Sequence, residues 1–225
     1  MLRALVFDFD GLIADTETPE FESWSEEFRA HGVELDLEDW IKCVGSGPEA
    51  WDVVDHLQDL SGIDVNRLAV HKRRSDRFQQ LAATMTVMPG VMSLLDEASQ
   101  AGVPVAIASS SESEWVGPYL ERFGIADRFQ SVWTRDQVPA PKPEPYLYHE
   151  ACRSLGVDPA DAVALEDSVS GVTAAKSAGL TCVAVPNKIT RSFDFSHADH
   201  VLETLEGTTL EWLDELVTVS ATARS

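Results

Sequence analysis

The sequence predicts an α/β protein in which a doubly wound, Rossmann-like parallel sheet contains an inserted small α-helical cap domain. Short apolar runs without polar alternation indicate strands buried on both faces, as in a parallel sheet covered by helices. Two phrases, QAGVPVAIASS and SAGLTCVAVPN, repeat the order helix, glycine, strand, which favours βαβ units. The predicted strands are Ala4 to Phe7, Val103 to Ala108, Ala162 to Leu165, and Thr181 to Val185.

Helices are predicted between these strands, and glycines mark where they end. Gly102 follows the stretch from Val91 to Ala101, and Gly179 follows the stretch from Gly171 to Ala178. Beyond Asn187 the pattern weakens to a strand near Val201, a helix from about Thr209 to Leu216, and a tail that we expect to fray.

Helix signals without a strand fill the segment after the first strand. Pro19 opens a helix that Gly32 ends, Ser46-Gly47-Pro48-Glu49 opens another, and Asp64 can cap a third. Pro89-Gly90 then marks the return to the sheet. We therefore predict a helical cap at 16–85 that is inserted into a core made of 1–15 and 86–225.

Composition excludes several classes of partner. The 225 residues include 17 Lys plus Arg against 38 Asp plus Glu, a formal net charge of −21, which disfavours nucleic acid and anionic membrane surfaces. A phosphorylated substrate would need local positive charge at its site. Cys43, Cys152 and Cys182 show no disulfide or zinc spacing, so reduced, buried thiols are expected. Without a signal-peptide or membrane-span pattern, we expect a cytoplasmic protein, and without a visible interface signal we expect a monomer.

Two acids end the first predicted strand in FDFDG. A strand's period of two places the Asp8 and Asp10 side chains on the same side, where one can act as an acid while the other, neutralised by a metal, attacks. Gly11 permits a tight turn and close approach of a ligand. Asp-x-Asp-Gly alone also fits a surface turn or a calcium-loop fragment.

Serines follow the second predicted strand, and a lysine lies between prolines in PAPKPEP. Ser109 and Ser110 lie where doubly wound sheets bind ligands, so a hydroxyl and a backbone N–H there could hold a phosphate oxygen. Ser110 or Ser111 could instead cap the next helix. The prolines restrict the backbone around Lys142, although the same segment fits a polyproline linker with a solvated lysine.

A further acidic pair, Glu166-Asp167, follows the third predicted strand. Hard oxygen ligands of this kind suit Mg²⁺, while Asp167 could alternatively cap the helix that follows. All four features fall at strand ends of one predicted sheet. Together they would supply a nucleophile, an acid, a phosphate-binding group and a metal site.

These segments give the sequence a resemblance to the haloacid dehalogenase superfamily, in particular to its phosphatase and β-phosphoglucomutase-like branch with a helical cap. The matching segments are FDFDGLIADTE, VAIASSS, PKPEPY and ALEDSVSGVTAAKSAG, which occur in the family's order and span nearly the whole chain. The resemblance implies Asp8 as nucleophile, Asp10 as general acid and then base, and Ser109 and Lys142 as ligands of the phosphoryl group. It also implies Mg²⁺ held by Asp8, the Asp10 carbonyl and Asp167, with Glu166 nearby.

The predicted cap holds two further candidate substrate residues. By the resemblance Arg74, in the basic run HKRRSDRF, could reach the site and bind an anionic group. The alternative is a solvated helix face paired with acids. Glu20 stands where the mutase pattern has a histidine, and VGSGPEAW has no counterpart of the arginine that such mutases carry early in the cap. Glu20 could orient a hydroxyl or simply favour the first turn of its helix.

Four functions fit parts of this pattern. A phosphatase acting on a small phosphorylated metabolite is favoured, and a β-phosphoglucomutase-like sugar phosphomutase is the alternative. An Asp-phosphorylated receiver would be about half this length and would not need Asp10 or the insertion. A haloacid dehalogenase is disfavoured because the second aspartate and the acidic pair point to phosphoryl chemistry.

Overall fold

The computed structural model describes residues 1–41 and 52–223, with side chains up to residue 219. The predicted helix start at residues 46–49, Cys43 and Trp51 lie outside the described residues. The chain divides into two compact units. Unit 1 comprises Met1–Ala14, Thr86–Asn187 and Arg191–Ser225, and unit 2 comprises Asp15–Met85 and Lys188–Thr190.

Unit 1 is built on a six-stranded parallel sheet, as the sequence predicts. The strand order is β3-β2-β1-β4-β5-β6. β1 therefore lies between β2 and β4, with Phe7 in register with both Ile107 and Leu165. The strands are β1 (Ala4–Phe7), β2 (Val105–Ala108), β3 (Ser131–Trp133), β4 (Ala162–Glu166), β5 (Thr181–Ala184) and β6 (His200–Val201).

Unit 2 contains four helices in its described part. They are α1 (Glu17–Ala30), α2 (Leu37–Trp40), α3 (Val53–Ser61) and α4 (Arg67–Ala82). Their shared core buries Trp24, Phe28 and Trp40, and Ile189 joins it from the short segment after β5. The tryptophans Trp24 and Trp40 are thus core residues.

The side chains that cap α3 and α4 are not ones that the sequence analysis named. The Asn66 side chain accepts a hydrogen bond from the Ala69 N–H at 3.1 Å and caps α4, so the assignment of that cap to Asp64 was wrong. Asp52 caps α3 by accepting from the N–H groups of Val54 and Asp55. All of these residue types are good N-caps, and the true cap is the one whose side chain reaches the first free N–H groups.

Helices cover both faces of the unit 1 sheet, which makes it doubly wound. Helices α5 (Val91–Ala101), α6 (Ser113–Phe123) and α9 (Leu210–Ala223) pack on one face, together with Leu5 and Phe7. Helices α7 (Tyr146–Leu155) and α8 (Val169–Ser177) pack on the other, together with Ala4 and Val6. Alternate residues of β1 thus enter two different cores.

The two chain segments that flank the insertion are held together by backbone contacts within unit 1. Ala14 forms an antiparallel bridge with Val87, and the Met88 N–H donates to the Ile13 carbonyl oxygen at 2.8 Å. Cys152 and Cys182 are buried free thiols, as expected. Among the described helices none has the length and apolar character that crossing a bilayer requires.

Candidate active site

Acidic and hydroxyl side chains meet at one edge of the unit 1 sheet. Asp8 follows β1, Ser109 follows β2, and Glu166 ends β4. Because β1 lies between β2 and β4 in a parallel sheet, the carboxyl ends of the three strands are adjacent. Strand order alone therefore brings together residues that lie more than a hundred positions apart in the chain.

Asp8 is buried beside a lysine. Its N–H continues the sheet by donating to the Leu165 carbonyl oxygen at 2.9 Å, and its Oδ1 accepts a hydrogen bond from the Lys142 Nζ. Burial raises the pKa of Asp8 well above its ordinary value. The Lys142 charge opposes this effect, while Glu166 and Asp10 reinforce it. Burial is the largest of these effects, so a further cation beside Asp8 would favour its ionised form.

Glu166 accepts five hydrogen bonds and has no exposed surface. Its Oε1 accepts from the Lys142 Nζ and from the Tyr148 Oη, the latter at 2.5 Å. Its Oε2 accepts from the N–H of Asp167 at 3.1 Å, and from the N–H and Oγ of Ser168 at 3.2 and 3.0 Å. A carboxylate with both oxygens engaged in this way is suited to holding Lys142 in place.

A glycine makes room for this carboxylate. A Cβ at Gly171, in the first turn of α8, would lie 1.9 Å from the Glu166 Oε1. Ser168 is the N-cap of this helix, and its Oγ accepts from the Gly171 N–H at 3.1 Å. The alternative that Asp167 caps this helix was therefore wrong.

Lys142 links two of the acids and is almost fully buried, with a side chain 3% exposed. Burial alone would lower its pKa, but the negative charges of Asp8 and Glu166 outweigh burial and raise it. Lys142 is therefore a cation at neutral pH. Its backbone N–H donates to the Ser110 Oγ at 3.3 Å, which connects the proline-flanked segment to the end of β2.

Three carboxylates in this cluster can hold a metal ion. Asp8, Glu166 and Asp167 each offer an oxygen, and these oxygens lie within 4.8 Å of one another. Lys142 supplies one positive charge against three negative ones, so a second cation would stabilise the cluster. Because Glu166 is engaged by five donors, Asp8 and Asp167 are better placed to be direct ligands. Carboxylate oxygens of this kind fit Mg²⁺.

The turn after β1 brings its backbone close to Asp167. Gly11 has a φ of +78°, and a Cβ there would lie 2.0 Å from the Asp167 Oδ2 and 2.6 Å from the Asn187 Nδ2. The same Asn187 amide donates to the Asp167 Oδ2 at 2.7 Å. Only glycine allows this approach, so the sequence D-x-D-G positions backbone as well as acids.

Asp10 lies further along the same turn and is held by side chains that follow β2. Its Oδ2 accepts from the Ser111 Oγ at 2.6 Å, with the Ser109 Oγ 3.5 Å away. Its Oδ1 accepts from the Trp115 Nε1 at 2.9 Å. The Ser109 N–H donates to the Trp133 carbonyl oxygen at 2.9 Å as part of the sheet, so at Ser109 the hydroxyl and not the backbone N–H could donate to a ligand.

The structure thus groups the core residues that the sequence singled out. Sequence reasoning missed Tyr148, Asn187 and Trp115. Asn187 follows the fourth predicted strand, and the rule that ligands bind at strand ends could have found it. Tyr148 and Trp115 lie within helices, and nothing in their local sequence separates them from ordinary core aromatics.

Glu20 and Arg74 pair with each other inside unit 2. The Arg74 guanidinium forms an ion pair with the Glu20 carboxylate and stacks over Trp24, 5.3 Å from the ring centroid. Burial lowers the pKa of Arg74 to about 10, which leaves it charged at neutral pH. Its neighbours on α4 also pair with acids: Lys72 with Asp76, Arg73 with Glu27, and Arg77 with Glu26.

Comparison with known proteins identifies the wider group. Residues 5–185 match the family model of the haloacid dehalogenase-like hydrolases. YhcW of Bacillus subtilis strain 168, a proposed phosphatase, is 41% identical over 205 residues, which are 91% of this chain and 93% of YhcW. The validoxylamine A 7'-phosphate phosphatase of Streptomyces hygroscopicus subsp. limoneus is 30% identical, over 82% of this chain and 86% of that protein.

A solved structure extends the similarity to a ligand-bound relative. CbbY from Rhodobacter sphaeroides in complex with phosphate superposes with a TM-score of 0.75 and 32% identity, over 95% of this chain and all of that one. A mutant of the same protein was solved with xylulose-(1,5)bisphosphate. β-Phosphoglucomutase from Clostridium difficile, at 21% identity and a TM-score of 0.75, shares the fold.

Proposed function

The chain belongs to the haloacid dehalogenase-like hydrolases, and from that premise we propose that it is a Mg²⁺-dependent phosphatase of a small phosphorylated metabolite. The proposed reaction passes through an aspartyl-phosphate on Asp8. One observation supports it most: a buried lysine joins Asp8 to Glu166, beside Asp167. A nucleophile, a cation for phosphate and an acidic metal site thus occupy one strand edge.

In the first proposed step an Asp8 carboxylate oxygen attacks phosphorus. The bond from phosphorus to the ester oxygen breaks, and its electron pair stays on the leaving group. That oxygen takes a proton from the Asp10 carboxyl, so an alcohol departs and Asp10 becomes a carboxylate. General acid catalysis of this kind matters most for poor leaving groups.

In the second proposed step water replaces Asp8. The Asp10 carboxylate removes a proton from water as the water oxygen attacks phosphorus. The bond between phosphorus and the Asp8 oxygen breaks, inorganic phosphate leaves, and both aspartates return to their starting states. The two steps together consume one water per ester.

Positive charge must offset the charge on the transferring group, because the chain as a whole repels anions. Lys142 would bind a phosphoryl oxygen, with hydroxyls from Ser109 and Ser110 alongside. When bound by Asp8, Asp167 and the Asp10 carbonyl, Mg²⁺ would supply the remaining countercharge and orient the phosphoryl group. In this proposal Glu166 is not a direct ligand of Mg²⁺, and it supports the site by holding Lys142 in place.

For the helical unit we propose that the Glu20–Arg74 pair takes part in substrate selection. A guanidinium already paired with a carboxylate offers directional hydrogen bonds but little net charge. Such a pair suits a substrate with hydroxyls better than one with a second phosphate. Position 20 also lacks the histidine of the mutase pattern, and this absence favours hydrolysis over isomerisation.

A matched pair of variants tests the function. A panel of phosphorylated metabolites is incubated with Mg²⁺ and wild-type protein, Asp8→Asn, or Asp127→Asn as an exposed control. Phosphate release should vanish only in Asp8→Asn, and acid-quenched wild type should carry one phosphoryl group on the peptide that contains Asp8. If the turnover rate of Asp8→Asn were within tenfold of the wild-type rate, Asp8 would not be the nucleophile.

The same panel separates hydrolysis from isomerisation. β-Glucose 1-phosphate is included, and both inorganic phosphate and glucose 6-phosphate are measured, with and without glucose 1,6-bisphosphate. We expect phosphate release without acceleration by the bisphosphate. If glucose 6-phosphate formed faster than inorganic phosphate, the phosphatase proposal would be wrong and the mutase alternative would replace it.

A further inference from the structure

The two oxygens of the Asp10 carboxyl have chemically different neighbours. Oδ1 accepts a hydrogen bond from the Trp115 indole Nε1 at 2.9 Å. Oδ2 lies 2.6 Å from the Ser111 Oγ and 3.5 Å from the Ser109 Oγ. An indole N–H can only donate, whereas a hydroxyl can donate or accept. The surroundings of Asp10 therefore distinguish its two oxygens.

This difference restricts where a proton can reside. A proton on Oδ1 would face the Trp115 N–H, which cannot accept it, and the hydrogen bond would be lost. A proton on Oδ2 leaves the indole bond intact and faces hydroxyls that can reverse direction and accept. Loss of a hydrogen bond to a charged or acidic partner is costly in a partly buried site.

Aromatic packing fixes the indole in place. The Trp115 ring lies 4.7 Å from the Tyr119 ring, one turn further along α6. Tyr119 in turn lies 6.2 Å from the fully buried Phe9, which stands between Asp8 and Asp10 in the chain. Trp115 is thus tied to the strand end that carries both aspartates, and its N–H has little freedom to point elsewhere.

We propose that Trp115 is a positioning residue for the acid–base step, because it holds Oδ1 and leaves Oδ2 as the oxygen that exchanges the proton. Oδ2 gives its proton to the leaving-group oxygen in the first step and takes one from water in the second. The inference rests on the proposed role of Asp10 and adds to it a residue from outside the four motif segments.

The test compares two substrates on one protein. Trp115→Phe removes the N–H but keeps an aromatic ring against Tyr119. An alkyl phosphate needs leaving-group protonation, and p-nitrophenyl phosphate does not. We compare kcat/KM, which depends on the first step and not on the later attack by water. We expect kcat/KM for the alkyl phosphate to fall ~10-fold, as loss of one hydrogen bond to a charged group implies, with a fall under about threefold for p-nitrophenyl phosphate.

Trp133→Phe is the matched control, since the Trp133 indole donates to the Ser154 Oγ at 3.2 Å, away from Asp10. In this control the ratio of kcat/KM for the alkyl phosphate to kcat/KM for p-nitrophenyl phosphate should equal that of wild type. Tyr119→Leu keeps the Trp115 N–H but removes its packing partner, and should lower the ratio about threefold. The ratio does not depend on the fraction of folded protein, so partial misfolding cannot imitate the effect.

Each outcome separates this inference from the proposed function. If Asp8→Asn is inactive but the ratio in Trp115→Phe equals that of wild type, the role of Trp115 is refuted and the phosphatase proposal stands. An equal loss for both substrates also refutes it, because a structural defect does not discriminate between leaving groups. If Asp8→Asn remains active, the function itself fails, whatever Trp115→Phe does.

Discussion

Glu166→Gln should destabilise the protein far more than an ordinary surface substitution. The change removes the negative charge that Lys142 shares with Asp8. It also replaces one acceptor oxygen with an NH₂ group, which must face either Lys142 and Tyr148 or the backbone N–H groups of Asp167 and Ser168. Either orientation sets donors against donors around a side chain that has no exposed surface.

The expected magnitude follows from the burial. Lys142 stays paired with Asp8 in this variant, and the loss of one of three crowded negative charges relieves repulsion, so the cost comes from the hydrogen bonds. A buried group left without its hydrogen-bond partner costs about 1–3 kcal/mol. For a chain of this size each kcal/mol lowers the unfolding temperature by about 2–4 °C, so Glu166→Gln should lower it by ~2–12 °C.

Thermal unfolding followed by circular dichroism in EDTA measures this effect without a contribution from bound metal. Glu112→Gln is the matched control, because its pairing with Arg135 spans 3.6 Å and both side chains are more than half exposed. Surface pairs of that kind contribute about 0–1 kcal/mol. If Glu166→Gln unfolded within 2 °C of Glu112→Gln, the hydrogen-bonded role of Glu166 would be wrong.

Three further predictions concern the metal site. Gly11→Ala should raise the Mg²⁺ concentration for half-maximal activity at least ~10-fold, because its Cβ would displace Asp167. Gly32→Ala is the control, since Gly32 has a φ of +79° and nothing lies within 4 Å of a Cβ there. It adds similar backbone strain of about 1–2 kcal/mol and should leave the Mg²⁺ requirement unchanged. Equal Mg²⁺ curves for the two would contradict the close contact. Asp167→Ala should raise the Mg²⁺ requirement more than Glu166→Ala does, and the reverse order in a Mg²⁺ titration would exchange the two assignments. Turnover should stop in EDTA and return with Mg²⁺ but poorly with Ca²⁺, which prefers more ligands and longer bonds; full activity in EDTA would defeat the metal proposal.

The central strands could be predicted because burial on both faces makes them continuously apolar. β1 has the predicted bounds, and β2, β4 and β5 each differ by no more than two residues at either end. β3 (Ser131–Trp133) gave no signal, because it is three residues long and only half buried. A short edge strand of this kind owes its pairing to the strand beside it and not to its own sequence.

Site residues were predictable where they follow a strand directly. Asp8, Ser109 and Asp167 occupy such positions, so the topology of a parallel sheet places them together. Tyr148 and Trp115 reach the site from helices on opposite faces of the sheet. Their hydrogen-bonding atoms matter only once the helices have packed, and a single sequence contains no pattern for that event.

The bridge between Ala14 and Val87 has a consequence for how this chain could have changed over time. The two ends of the insertion are already joined by core backbone, so the core closes that loop whatever its length. Each doubling of a flexible loop costs only about 0.6 kcal/mol of closure entropy. Mutations in the gene could therefore lengthen, shorten or replace the intervening helices while the strand edge that holds Asp8 kept its geometry.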